Sequence, residues 1–182
     1  PRRHRARARR RRALRQRPDN ALALLRPELE EEHFRGLDVR LASRYLQLVA
    51  ASGDPAWLGP VKHALEDPRP YVRMELMRTL AEFDTPTSHA MLLAALQDNE
   101  PDVRAEAATV LGQQRVVAAV GPLTEIVRRN DARLLSAIRA LGRIGDPAAL
   151  PALHILLSHH RVSLRQYACI AIGDIGDTQS EK

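Results

Sequence analysis

The sequence overlays itself when slid by roughly 31 residues, a self-similarity that only a stack of like units satisfies. The landmarks are Gly53-Asp54-Pro55, Asp84-Thr85-Pro86, Gly145-Asp146-Pro147 and Gly176-Asp177. Each reads as a helix stop followed by a restart. Gly53, Gly145 and Gly176 suit the left-handed residue that closes a helix. Asp54, Thr85, Asp146 and Asp177 suit the cap of the next, their side chains accepting from free N–H groups. Pro55, Pro86 and Pro147 then fall at the first helical position, where a missing N–H costs nothing.

The same register generates apolar columns. Tyr45, Leu76, Ala107, Ala137 and Ala168 form one, and Val49, Leu80, Leu111, Leu141 and Ile172 another four residues on. Between them lie Leu46, Met77, Ala108, Ile138 and Cys169, so the three columns share one helical face. The column Ala50, Ala81, Gly112, Gly142, Gly173 holds only small residues, which predicts close approach of a neighbouring helix. A second helix carries Leu58, Val120 and Leu150, then Val61, Leu92, Leu123 and Leu153, then Leu65, Leu96, Val127 and Leu157. A hairpin of this size cannot bury its apolar face alone; stacking makes one core. The third unit has Arg115-Val116-Val117 where others have Gly-Asp-Pro, so its turn is expected to differ. The fourth has Arg133-Leu134 where others have an apolar residue followed by Arg. The fifth is expected to stop after its first helix, as though truncated, leaving Leu164, Ala168, Cys169 and Ile172 uncovered.

The run Asp98-Asn99-Glu100-Pro101-Asp102-Val103-Arg104-Ala105-Glu106-Ala107-Ala108, then Leu111-Gly112, resembles the short bacterial HEAT-like repeat of the phycobilisome-lyase type. Leu164-Arg165 to Gly173 and Val72-Arg73 to Leu80 repeat it, and the resemblance spans about residues 38–177. It implies an all-α, right-handed α-solenoid of about four and a half hairpins. Such folds host adaptors and occasional enzymes, so fold alone says little of function.

Charge divides the chain. The net +6 conceals ten Arg and no acid in residues 1–17, which leaves 18 basic against 22 acidic residues in 18–182. A basic groove for DNA or RNA within the array is therefore disfavoured. Residues 1–17 are expected to be a disordered or juxtamembrane arm. Arg9, Arg10, Arg11 and Arg12 are its candidate contacts to an anionic lipid surface, and nucleic acid is the weaker choice because no aromatic interleaves them. Residues 18–37 read as an N-terminal capping helix, and 38–182 as the repeat array. One cysteine, Cys169, excludes an intrachain disulfide and fits a reducing compartment. Twenty-six Arg against two Lys points to a high-GC bacterial source.

Candidate chemistry is sparse. His154, His159, His160 and Cys169 are the one grouping that suggests a metal, but they lack the tight paired spacing of a closed zinc site. The HEAT-like iron hydroxylases of the deoxyhypusine type carry His-Glu pairs. Here the residue after each His is Arg5, Phe34, Ala64, Ala90, Ile155, His160 or Arg161. His89 occupies the column of Leu58 and reads as a partly buried histidine. Arg73, Arg104 and Arg165 form a ladder, read as structural and paired with acids such as Asp67, Asp98 or Asp102.

The sequence thus predicts a non-enzymatic adaptor without a cofactor, cytoplasmic and held at the membrane surface by its arm. Its partner is another protein, a membrane protein included, met along the second-helix face by Trp57, Lys62, His63, Glu125 and Arg128. Self-association through the uncapped C-terminal end is a further expectation. A HEAT-like enzyme of the lyase or DNA-glycosylase kind is the first alternative, and a nucleic-acid binder acting through the arm the second.

Overall fold

A computed structural model describes residues 34–129 and 134–180, with side chains to Gly176. The arm, most of the capping segment and the Arg133 position lie outside the described residues. The chain divides into two compact units, Pro1–Phe83 and Asp84–Lys182. In the first, α1 (Val39–Ser52) and α3 (Pro70–Leu80) flank a short α2 (Leu58–Val61), which 3₁₀ turns extend at both ends. In the second come α4 (Pro86–Ala95), α5 (Pro101–Gln113), α6 (Val120–Arg128), α7 (Leu134–Ile144), α8 (Leu150–Ile155) and α9 (Val162–Ser180). Among the described residues there is no strand.

The capping grammar is realised at three restarts. Asp54 Oδ1 accepts from Ala56 N–H at 2.9 Å and Asp146 Oδ1 from Ala148 N–H at 2.8 Å. Thr85 and Ser88 cap each other reciprocally at the start of α4. Gly53 and Gly145 sit in the left-handed region, with φ of 63° and 76°. In the third repeat Arg115 takes that same place, with φ of 50°. Its N–H donates to Gly112 O at 3.3 Å and Val116 N–H to Leu111 O at 3.0 Å, the paired bonds of a Schellman stop. The turn therefore keeps the glycine geometry although the glycine is gone.

The first-helix columns form the core. Leu46, Val49, Leu76, Met77, Leu80, Ala107, Leu111, Ile138, Leu141 and Ala168 are buried. In the second unit α5 packs on α7 and α7 on α9. A Cβ added at Gly112 would lie 2.7 Å from Ala140 Cα, and one at Gly142 2.9 Å from Ala171 Cα. In the first unit Thr79, which holds the column position of Ala140 and Ala171, places its hydroxyl 3.2 Å from Leu46 O on α1 and 2.9 Å from Glu75 O of its own helix.

Four expectations are corrected. Gly176 does not end a helix, and Asp177 does not start one, because α9 runs unbroken from Val162 to Ser180. No Pro follows Asp177 to force a restart. Leu164 and Ala168, expected to be uncovered with Cys169 and Ile172, are buried, whereas Cys169 is exposed and Ile172 half-buried. Leu157 is 38 % exposed while Leu156 is buried. There the chain tightens into a 3₁₀ turn, Leu156–Ser158, whose three-residue period brings the residue three after Leu153 inward. Ala64, three after Val61, is buried for the same reason in the 3₁₀ segment Lys62–Glu66.

Two stability measurements check this packing. Arg115→Gly should raise unfolding stability by about 1 kcal/mol in urea titration, by relieving a left-handed side chain. Gly142→Ala should cost about 1–3 kcal/mol through backbone overlap with α9. Gly173→Ala should instead stabilise α9 by up to about 1 kcal/mol, since a Cβ there meets nothing within 4 Å.

Candidate functional site

Most polar groups that the sequence offers for chemistry are engaged in turns. Arg73 donates to Asp67 O at 2.7 Å, Arg104 to Asp98 O at 2.7 Å, and Arg165 to His159 O at 2.8 Å. Each guanidinium thus reaches back six residues to the main-chain carbonyl that ends the preceding helix. The ladder is structural, as expected, but what it grips is the main chain of the linker rather than only acidic side chains. Leu134 holds the corresponding place in the fourth repeat and is buried.

Those linkers also carry a side-chain acceptor. Asp67 Oδ1 accepts from Arg69 N–H at 2.9 Å, and Asp98 Oδ1 accepts from Glu100 N–H at 2.8 Å. His159 Nδ1 accepts from Arg161 N–H at 3.1 Å in the same position. Asp67 is 1 % exposed and forms a two-point pair with Arg69, at 2.8 and 2.6 Å, while Arg69 also donates to Leu37 O. Burial alone would raise the Asp67 carboxyl. The Arg69 hydrogen bonds, with the charges of Arg69 and Arg73, outweigh it and hold the group below its ordinary 3.8.

Several of the described histidines have close neighbours. His89 lies at a helix start, 25 % exposed, with Nε2 2.9 Å from Asp84 Oδ1. His159 and His160 stack on each other, ring centroids 4.2 Å apart. Among the described residues no group of three or more His, Cys, Asp or Glu is placed to hold a metal ion.

The predicted contact residues fall on different units. Trp57 is half-buried in the turn before α2, Lys62 is exposed, and the half-buried His63 meets buried Phe34 edge-on at 4.9 Å. Phe34 is the first of the described residues, and its contact gives His63 a packing role. In the second unit Arg128 is exposed, and half-buried Glu125 accepts from Arg129 Nε at 2.8 Å. Arg9, Arg10, Arg11 and Arg12 lie outside the described residues.

One recess escaped the column analysis. Gln47, Ala50 and Ala51 of α1, with Glu75, Arg78 and Thr79 of α3 and the following Glu82, line a groove of about 340 Å³. Gln47 Nε2 donates to Glu75 Oε1 at 2.9 Å, and Arg78 approaches Glu75 Oε2 at 3.5 Å. These positions read in sequence as ordinary solvated faces; only the pairing of two first helices makes them a groove. In the second unit Arg139 lies over the Tyr167 ring at 5.3 Å, beside exposed Ile170.

Repeating hairpins, left-handed stops and Gly–Ala crossings together match a known profile, that of HEAT repeats, over residues 58–138 and 133–181. The chain belongs to the HEAT-repeat family. Among solved structures, this HEAT-repeat chain is similar to human deoxyhypusine hydroxylase, determined in complex with glycerol. The TM-score is 0.57 at 17 % identity, covering 87 % of this chain and 75 % of that one. The likeness concerns the fold. No curated protein sequence matches the chain.

The Asp67 pair yields a signed prediction. Its folded pKa lies below the unfolded one, so its contribution is complete above the carboxylate range and is lost as pH falls through the folded value. Asp67→Ala should therefore cost about 2 kcal/mol near neutral pH. The deficit should shrink toward zero in urea titrations near pH ~2.

Proposed function

We propose that this HEAT-repeat chain is a non-enzymatic adaptor that recognises another protein by shape, with its Arg-rich arm holding it at an anionic membrane surface. The observation that carries the reading is the groove between α1 and α3. Gln47, Glu75, Arg78, Thr79 and Glu82 line it together with Ala50 and Ala51, a set of polar side chains that suits a protein segment.

Trp57, Lys62 and His63 are proposed as further contacts on the first unit, and Glu125 and Arg128 on the second. Trp and Arg are the residue types that most often anchor interfaces. The turn-bound state of Arg73, Arg104 and Arg165 favours a structural use of these cations over an anion stripe. Among the described residues no helix is long and apolar enough to cross a membrane, so the membrane element of the proposal rests on the ten Arg of residues 1–17. Each basic residue close to an anionic surface contributes about 1 kcal/mol.

Deleting residues 1–17 should abolish co-sedimentation with phosphatidylserine vesicles and leave capture of the protein partner intact. Trp57→Ala combined with Glu82→Lys should do the reverse. Loss of both properties on deleting the arm would make the arm itself the partner site. Tight, salt-sensitive binding of random duplex DNA by residues 18–182 would contradict the adaptor reading.

A further inference from the structure

The linkers that enter α3, α5 and α9 share one design: a side chain in the linker accepts the N–H two residues on, while an Arg six residues on grips the carbonyl of that same residue. In the first two the acceptor is a carboxylate, Asp67 or Asp98, bonded at 2.9 and 2.8 Å. In the third it is an imidazole nitrogen, His159 Nδ1, bonded to Arg161 N–H at 3.1 Å. A carboxylate keeps its acceptor through the whole neutral and mildly acid range. An imidazole accepts at Nδ1 only while that nitrogen is unprotonated; once doubly protonated it is a donor at both nitrogens.

We propose that the His159 linker is a pH-sensitive joint, closed above the histidine titration range and opened below it, which frees the N-terminal turn of α9 from the 3₁₀ segment that precedes it.

The charges around the ring reinforce the effect. His160 stacks on His159 at 4.2 Å, Arg161 follows in the linker, and Arg165 of α9 donates to the His159 and His160 carbonyls at 2.8 and 3.1 Å. His154 stands on α8, one turn and a half before the linker, exposed to solvent. The groups whose charges act on His159 are His160, Arg161 and Arg165, with no acid among them. A proton on the ring removes the acceptor and adds a like charge beside Arg161 and Arg165. Partial desolvation, then the charges of His160, Arg161 and Arg165, hold the imidazole below its ordinary 6.5. Because the folded value is the lower one, acid favours states in which the ring has left the turn. The closed joint is complete above the unfolded value and is lost as pH falls through the folded value.

The exposed apolar residues Ile155, Leu157 and Val162 straddle this linker. Opening it would change how they are presented, without involving the groove of the first unit or the arm.

The test is amide NMR on the full chain, with the Asp98 linker as internal control. Between about pH 8 and pH 5, the Arg161 amide resonance should lose its hydrogen-bonded shift with the midpoint of the His159 ring, below 6.5. Its solvent exchange, corrected for the intrinsic rate, should rise at least about tenfold. The Glu100 amide should do neither, since a carboxylate oxygen rather than an imidazole nitrogen accepts from it. His159→Asp should give the Arg161 amide the flat behaviour of Glu100. An Arg161 amide that does not follow the His159 ring overturns the proposal, as does one that still titrates in the His159→Asp chain.

Discussion

The architecture depends on how closely consecutive first helices meet in the second unit. At Gly112 and Gly142 the facing main chain leaves no room for a Cβ, with Ala140 Cα and Ala171 Cα at 2.7 and 2.9 Å from where it would sit. That proximity brings Leu111, Ile138, Leu141 and Ala168 into one buried seam. In the first unit Thr79 shows the same approach by bonding the α1 main chain at Leu46. Interiors packed at this density respond to single methylenes, so the small-residue column is a stricter requirement than the apolar columns beside it.

Close packing leaves the linkers to be held by polar groups, and the chain uses its Asp and Arg there. Asp67 and Asp98 satisfy N–H groups at helix starts, and Arg73, Arg104 and Arg165 satisfy carbonyls at helix ends. The ladder of guanidiniums, read in sequence as structural and paired with acids, is engaged by its own main chain. The proposed recognition surfaces are accordingly outward ones, the groove of α1 and α3 and the turn bearing Trp57.

The hairpins were legible because several local signals agreed at one period: cap, Pro, left-handed stop and apolar column. Asp54, Asp146 and Thr85 act as their positions announced, and Gly53 and Gly145 adopt the conformation their type permits. The misreadings share a cause, which is that a column assumes every repeat is complete. Gly176 had no Pro after it, and Leu157 fell in a turn of shorter period. Arg115 shows the opposite case, in which the geometry outlasts the residue that normally signals it. The groove was hidden for a further reason. Gln47 and Glu75 lie 28 residues apart and look like two unrelated solvated positions until α1 and α3 are paired.

Recognition surfaces of this kind work only if the scaffold beneath them holds its register, which makes the helix crossing the central claim. A double-mutant cycle on Gly112 and Ala140 measures it directly. Gly112→Ala should destabilise the chain, and Ala140→Gly in the same molecule should restore part of that loss, giving a coupling of about 1 kcal/mol in urea titrations. Strict additivity of the two substitutions would contradict the contact, and with it the account of how the repeats are held together.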